Sequence, residues 1–307
     1  MATDYIDLQV NGYRGVDFSH RDLTRDDVRG ATLSLVEAGT HRFCPTVITS
    51  AWSTYERVLP VLAEAMRDKE LAPHLLGIHL EGPFISPCDG ARGAHTRAYV
   101  LAPSRDEFDR LYDFAEGNVA LLTLAPEEHG AIDLVAHATA HGVTVCIGHT
   151  QADADAIRAA IDAGARASTH LGNAFPRDVH PRDNAVWYQL AADELYGTFI
   201  TDGHHMNPAL IKVALRAKGV DRFIVVSDAS PVAGLPPGEY DTLGIHVVIE
   251  DDGKLWSPDT GTLAGSSATM AQCMAHLQSL ELLTDEELVR VGHDNPLQLL
   301  GIDCAWG

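Results

Sequence analysis

Four polar side chains lie at the ends of segments that are predicted to be buried strands. Glu81 ends LLGIHLE, His149 ends VTVCIGH, His170 ends ARASTH and Asp228 ends FIVVSD. One carboxylate and two imidazoles form a ligand set that suits a catalytic zinc ion with one position left for water. Parallel strands in a barrel bring their carboxyl ends to one face, where distant residues can surround one ion. We therefore predict that Glu81, His149 and His170 bind a divalent metal, and we expect Zn²⁺.

Asp228 is the candidate general base. A carboxylate beside an activated water can accept its proton and later donate it to a leaving group. The alternative is a helix N-cap, because aspartate and serine cap helices well. Its position at a strand end favours the catalytic role.

A long glycine- and proline-rich segment follows Glu81 and is longer than an ordinary strand-to-helix connection, which is typical of a functional loop. His95 lies in this loop, in GARGAH. Its imidazole could bond a substrate carbonyl and stabilise an oxyanion. A solvated loop histidine is an equally good interpretation of the sequence.

Other polar residues follow the predicted strands. Either His204 or His205, in TDGHHMNP, could face the site, and Asn173 with Ala174 could offer an amide and backbone N–H groups to a polar substrate. The segment GTLAGSS resembles a glycine-rich entry to a helix, where N–H groups can hold an anion or sugar hydroxyls.

Gln9 and Asn11 point to the same side of the first strand. Two histidines at this spacing would form a second metal site, but amides are poor zinc ligands. The sequence therefore predicts a single ion.

Composition excludes several classes of protein. The 307 residues include 22 basic and 43 acidic side chains, which gives a net charge of −21. That charge argues against a nucleic-acid groove or an anionic membrane surface as partner. Five cysteines without a CxxC pair predict reduced thiols in a cytoplasmic enzyme. The first residues do not resemble a signal peptide, and no apolar run approaches the ~20 residues of a membrane span.

Strand-like and helix-like segments alternate along the chain. The predicted strands are YIDLQV, RFCPTVIT, LLGIHLE, VALLTL, VTVCIGH, ARASTH, GTFITD and FIVVSD. Eight such units separated by helices predict a (β/α)₈ TIM barrel of the α/β class. We expect one domain, residues 1–307, with a β-hairpin insertion near residues 240–257. An Asp-Gly pair is predicted to form the turn of this hairpin.

Several segments together resemble the N-acetylglucosamine-6-phosphate deacetylases of the amidohydrolase superfamily. They are IDLQVNGYRGVDF, GIHLEGPFISP, GAH, IGHTQADADAIRAAIDAGARASTHLGNAF, TDGHHMNPALIK, VVSDASPVAG, GTLAGSSATM and NPLQLLGI, in the family's order. The resemblance implies a (β/α)₈ barrel that removes the N-acetyl group of an amino sugar. It implies that Glu81, His149 and His170 bind the metal, that Asp228 is the acid/base and that His95 contacts the acetyl carbonyl.

The resemblance also implies substrate contacts. His205, Asn173, Ala174 and Leu263 match substrate-contacting positions. The family's phosphate-binding arginine, often supplied across a dimer interface, corresponds to His180, with Arg177 and Arg182 nearby as possible replacements. Guanidinium binds phosphate bidentately and imidazole does not.

We therefore expect N-acetylglucosamine-6-phosphate or free N-acetylglucosamine as substrate, and a possible homodimer. Members of the family usually carry a small β-sandwich, which we expect this chain to lack. The alternatives are a deacylase of another N-acyl compound and a sugar-binding protein without turnover.

Overall fold

A computed structural model describes residues 4–176 and 178–303. All eight predicted barrel strands form, in one parallel sheet whose strand order follows the chain. They are β1 (Tyr5–Val10), β2 (Thr40–Ile48), β3 (Ile78–Glu81), β4 (Val119–Leu124), β5 (Thr144–Ile147), β6 (Ala167–Ser168), β7 (Tyr196–Ile200) and β8 (Phe223–Val226).

The sheet closes between its first and last strands. Val10 forms a parallel bridge with Ala229, and the N–H of Asn11 donates to the carbonyl of Ala229 at 2.8 Å. The carboxylate of Asp7 spans the same seam, since it accepts from the backbone N–H of Ser227 at 3.2 Å and from its hydroxyl. Burial raises the pKa of Asp7 to about 6. The predicted (β/α)₈ barrel is confirmed.

Seven helices follow the strands in turn, and further helices complete the chain. They are α1 (Arg25–Glu37), α2 (Trp52–Ala65), α3 (Arg105–Phe114), α4 (Ala131–Ala140), α5 (Ala154–Ala163), α6 (Ala185–Ala191), α7 (Pro208–Lys218), α8 (Met270–Ser279), α9 (Asp285–Val289) and α10 (Asn295–Leu299), with a π-helical turn at Arg290–Asp294. Short 3₁₀ turns lie at Ala72–His74, Arg97–Tyr99 and Val220–Arg222, and two-residue strands Gly12–Tyr13 and Val16–Asp17 pair after β1. Among the described residues, no helix is both long and apolar enough to cross a bilayer.

Local sequence explains several helix ends. Thr24 caps α1 with a full capping box, because its side chain accepts from the N–H of Asp27 while the Asp27 carboxylate accepts from Thr24. Thr284 does the same at α9, whereas Ser104 at α3 forms only the first of the two bonds. Gly164 ends α5 in a left-handed conformation.

Two apolar layers pack against the barrel strands, one inside the barrel and one outside it. One cluster joins side chains from seven barrel strands with Leu297 and Leu299 of α10. Only the barrel interior is shared by so many strands, so this cluster fills it. The larger cluster lies between the strands and helices α1 to α5. Together these layers fix the carboxyl ends of the strands relative to one another.

A separate antiparallel sheet follows β8. It contains β9 (Gly238–Thr242), β10 (Ile245–Ile249), β11 (Leu255–Ser257) and β12 (Thr262–Leu263), paired in chain order. The two strands of the predicted hairpin are its central pair, β10 and β11. Beyond β12, the N–H of Ser266 donates to the carbonyl of Asp228 at 2.9 Å. The small sheet is therefore fastened to the end of the last barrel strand.

Candidate metal and catalytic centre

The four residues at the strand ends meet at the carboxyl face of the barrel, but three of them lie beyond their strands. Glu81 is the last residue of β3, whereas His149, His170 and Asp228 each follow a strand by two positions. These three have positive φ values of 51°, 29° and 50°. Residues with a Cβ rarely adopt this left-handed backbone, and the strain is typically kept where function requires a side chain to be aimed.

The candidate metal ligands converge on one point. Oε1 of Glu81 lies 3.0 Å from Nε2 of His149 and 2.9 Å from Nε2 of His170, and the two nitrogens are 3.1 Å apart. In a tetrahedral zinc site the ligand atoms are separated by about 3.3 Å. All three side chains are buried.

The chemistry of these atoms suits a cation. Nδ1 of His149 lies 3.0 Å from the carbonyl of Ala91, which can only accept, so Nδ1 carries the proton and Nε2 presents a lone pair. That lone pair faces the carboxylate of Glu81 and another imidazole nitrogen. Acceptor atoms held this close repel one another unless a positive charge lies between them. The residues present therefore fit a small divalent metal.

Asp228 is joined to this cluster through the first strand. Its Oδ1 accepts from Nε2 of Gln9 at 3.0 Å and from Nδ2 of Asn11 at 2.7 Å. The same Nε2 of Gln9 donates to Oε1 of Glu81 at 2.9 Å. The two amides that were predicted to be poor ligands thus act as donors to the carboxylates. No helix begins at Asp228 in the described chain, so it is not a helix N-cap.

Burial and, after it, the negative charge of Glu81 raise the pKa of Asp228 to about 7. A divalent ion at the neighbouring ligands would act in the opposite direction and favour the ionised carboxylate. With an ion bound, Asp228 is set to titrate near or below neutrality, which suits a group that both accepts and donates a proton.

His95 is buried beside the cluster and is not a solvated loop residue. Its Nδ1 accepts from the N–H of Thr49 at 3.3 Å, so the ring proton lies on Nε2. Its ring contacts that of His149 edge-on at 4.3 Å between centroids. Burial and, after it, the neighbouring imidazole of His149 lower the pKa of His95 to about 3. His95 therefore remains a neutral N–H donor at physiological pH.

Of the two adjacent histidines after β7, His205 has a buried side chain and lies within electrostatic range of Asp228. Nε2 of His204 instead lies 3.2 Å from the carbonyl of Asp252 in the small sheet. Nδ1 of His205 is 2.7 Å from Oδ2 of Asp202. Burial opposes ionisation of Asp202, but the hydrogen bonds and charge of His205 prevail and lower the pKa of Asp202 to about 2. Sequence reasoning missed Asp202, although the DGHH spacing is a signal for such an orienting carboxylate.

Two further predicted substrate contacts lie in the loop after His170. Nδ2 of Asn173 donates to the carbonyl of His170 at 3.1 Å, and Ala174 has a positive φ of 49°. A Cβ built on Gly93 would lie 3.1 Å from Cε1 of His149 and 3.4 Å from the Cβ of Ala174. The loop that carries His95 is thus packed against both the candidate ligand His149 and this segment.

Leu263 is the last residue of β12 and lies two positions before Gly265. A Cβ built on Gly265 would be 3.1 Å from the carbonyl of Asp228 and 3.8 Å from its Oδ2. The close approach of the Gly265 backbone brings the segment after Leu263 to the carboxylate of Asp228.

The predicted phosphate-binding residues His180 and Arg182 are exposed on the protein surface. Within residues 4–176 and 178–303, no hydrogen bond or ion pair joins either side chain to the metal ligands or to Asp228. Arg177 lies outside the described residues.

The comparisons with known proteins agree on one family. The chain is 37% identical to N-acetylglucosamine-6-phosphate deacetylase of Rattus norvegicus over 322 residues, which covers 100% of this chain and 76% of the relative. It is 31% identical to the Bacillus subtilis enzyme of the same name, over 97% of this chain and 74% of that protein. The chain belongs to the N-acetylglucosamine-6-phosphate deacetylase family. No protein-family model matches it.

Solved structures of this deacetylase family share the fold. A variant of the Mycobacterium smegmatis enzyme in complex with N-acetyl-D-glucosamine-6-phosphate superposes with a TM-score of 0.89 at 30% identity, over 98% of this chain and 77% of that one. The Pasteurella multocida deacetylase gives a TM-score of 0.88 at 29% identity, over 99% and 78%. The family predicted from the sequence is confirmed, and neither alternative class is favoured.

Proposed function

We propose that this chain hydrolyses the N-acetyl amide of N-acetylglucosamine-6-phosphate to acetate and the free amino sugar, with one zinc ion held by Glu81, His149 and His170. The convergence of three ligand atoms within 3.1 Å of one another is the observation that carries the proposal. The names of the relatives supply the substrate class.

A divalent ion at these ligands would lower the pKa of a water and polarise the acetyl carbonyl. Ionised Asp228 accepts a proton from the attacking water as the bond to the acetyl carbon forms. The neutral Nε2–H of His95 donates to the carbonyl oxygen as that oxygen gains negative charge. Asp228 then donates the proton to the sugar nitrogen as the C–N bond breaks, which yields acetate and the amine. We assign substrate contacts to His205, Asn173, Ala174 and Leu263.

The phosphate contact calls for a guanidinium, and His180 stands at the position that matches the family's arginine. His180 cannot replace a bidentate guanidinium, so we assign the contact to Arg177 or Arg182, within one subunit or across a homodimer. The ratio of kcat/KM for N-acetylglucosamine with and without the 6-phosphate tests this assignment. Equal values would mean that the enzyme acts on the free sugar.

Asp228→Asn tests the reaction itself. We expect acetate release to be abolished while the zinc at Glu81, His149 and His170 is retained, because asparagine cannot accept the proton. Asp241→Asn, in the exposed edge of the small sheet, is the matched control and should retain full activity. Near-normal turnover in Asp228→Asn, or no acetate from either sugar with zinc-loaded native protein, would refute the proposal.

We also propose a cytoplasmic location and a single barrel domain. Cys44, Cys88, Cys146 and Cys273 are free thiols, which supports a reducing compartment. The small antiparallel sheet that follows β8 is an insertion into the barrel chain.

A further inference from the structure

A second group of metal-ligating side chains lies on the outside of the barrel, between α3 and α4. It consists of Asp109 from α3, His137 from α4 and His141, the residue that directly follows α4. One ligand atom from each lies within 4.8 Å of the others. Residues four apart share one face of a helix, so both imidazoles point toward α3.

Hydrogen bonds fix the ring orientation of His141. Its Nδ1 is 2.9 Å from the backbone carbonyl of His137, and a carbonyl can only accept. The proton therefore lies on Nδ1, and Nε2 presents a lone pair. A histidine that donates one ring nitrogen to a carbonyl and leaves the other unprotonated is the usual form of a metal ligand.

Aromatic packing holds the two rings in place. The ring of Phe108 contacts those of His137 and His141 edge-on, at 5.8 Å between centroids in each case. Tyr112 contacts His141 in the same way at 5.2 Å. Two imidazoles on a mobile surface would lose entropy on binding an ion, and this packing reduces that loss.

The simpler interpretation is an ordinary contact between helices. Nε2 of His137 is 2.6 Å from Oδ1 of Asp109, one turn beyond the ion pair of Arg105 with Asp133. That interpretation accounts for one imidazole and one carboxylate. It does not account for His141, which shares the cluster and has its Nε2 lone pair available.

We propose that Asp109, His137 and His141 bind a divalent transition-metal ion that links α3 to α4. Imidazole nitrogens select zinc, nickel and copper over magnesium and calcium. The His137 side chain is 19% exposed and that of Asp109 is 46% exposed. The ion would therefore be reached from solvent and complete its coordination with water.

Metal stoichiometry tests the proposal with Zn²⁺ as the probe. After dialysis against zinc with a weak competing chelator, native protein should retain two equivalents per chain and His141→Ala one. His129→Ala, which removes an exposed histidine just before α4, is the matched control and should retain two. His141→Ala should release acetate as fast as native protein. One equivalent in native protein, or two in His141→Ala, would overturn the outer site.

A second measurement isolates the outer ion from the inner one. His170→Asn removes an inner ligand, so a zinc-dependent rise in melting temperature in this background must come from elsewhere. We expect a rise of roughly 2 °C or more, because binding to the native state alone stabilises it. The rise should vanish in His170→Asn/His141→Ala and persist in His170→Asn/His129→Ala. A rise that survives the loss of His141 contradicts the proposal, whatever the protein's activity.

Discussion

Gln9 is expected to control both the acidity of Asp228 and the metal affinity of Glu81. Its Nε2 donates to the two buried carboxylates, at 2.9 Å to Glu81 and 3.0 Å to Asp228. Gln9→Met keeps the length of the side chain and removes the donor. A hydrogen bond to a charged group contributes about 1.5–3 kcal/mol, and 1.36 kcal/mol corresponds to a tenfold change in acidity. The variant should therefore move the acid limb of the kcat/KM profile upward by about one pH unit.

The direction in which the acid limb moves follows from the role of Asp228. The ionised carboxylate of Asp228 is the active form, and Gln9 stabilises that form, so its removal should reduce activity most on the acidic side. Loss of the bond to Glu81 should also weaken zinc binding by about tenfold, as is usual for groups that orient a ligand. Acetate release from pH 5 to 9 and competition with a zinc indicator measure the two effects.

Asn11→Leu is the matched control. Nδ2 of Asn11 donates to Asp228 at 2.7 Å, and no hydrogen bond from this amide to Glu81 is found in the described chain. Its loss should move the acid limb while zinc affinity stays constant. The reasoning is wrong if Gln9→Met leaves both the acid limb and the zinc affinity unchanged. It is also wrong if the two variants weaken zinc binding equally.

Three other residues give separate predictions. Burial raises the pKa of Asp7 from 3.8 to about 6, so protonated Asp7 favours the folded state. The resulting contribution to the free energy of unfolding is fully present below pH 4, and about 3 kcal/mol should be lost as the pH rises through 6. Asp7→Asn should remove that component from urea unfolding of zinc-free protein, and an unchanged pH dependence would contradict the assignment. Asp202→Asn should raise KM about tenfold, because it releases the ring of His205. His204→Ala should leave KM unchanged, and equal effects of the two variants would exclude an orienting role for Asp202. His95→Asn should lower kcat by about 10²–10³ with zinc content retained, since one oxyanion donor is lost, and an unchanged kcat would refute that role.

The barrel and the convergence of three side chains at its carboxyl face could be predicted from the sequence because both depend on local patterns. Apolar runs separated by amphipathic segments predicted all eight strands. Strand-end polar residues predicted the meeting of Glu81, His149 and His170, since parallel topology alone brings strand ends together.

Other features of the site depend on contacts that local patterns do not encode. The bond from Gln9 to Asp228 joins residues 219 positions apart and follows from closure of the barrel seam. The strands before His149 and His170 end two residues earlier than predicted, because both residues adopt a left-handed backbone that apolar periodicity cannot show. The small sheet was predicted as a hairpin, since its outer strands lack a regular apolar alternation.

The left-handed backbone at His149, His170 and Asp228 implies a trade-off between thermal stability and catalytic activity. Glycine would relieve the backbone strain at each of these positions. It would also remove a side chain that the proposed reaction requires. Selection of random variants for heat resistance alone should thus enrich glycine or asparagine at these three sites. The selected proteins should be more stable to heat and should no longer turn over substrate. Selection that also demands growth on the amino sugar should keep all three residues and gather its improvements in the helices and outer loops.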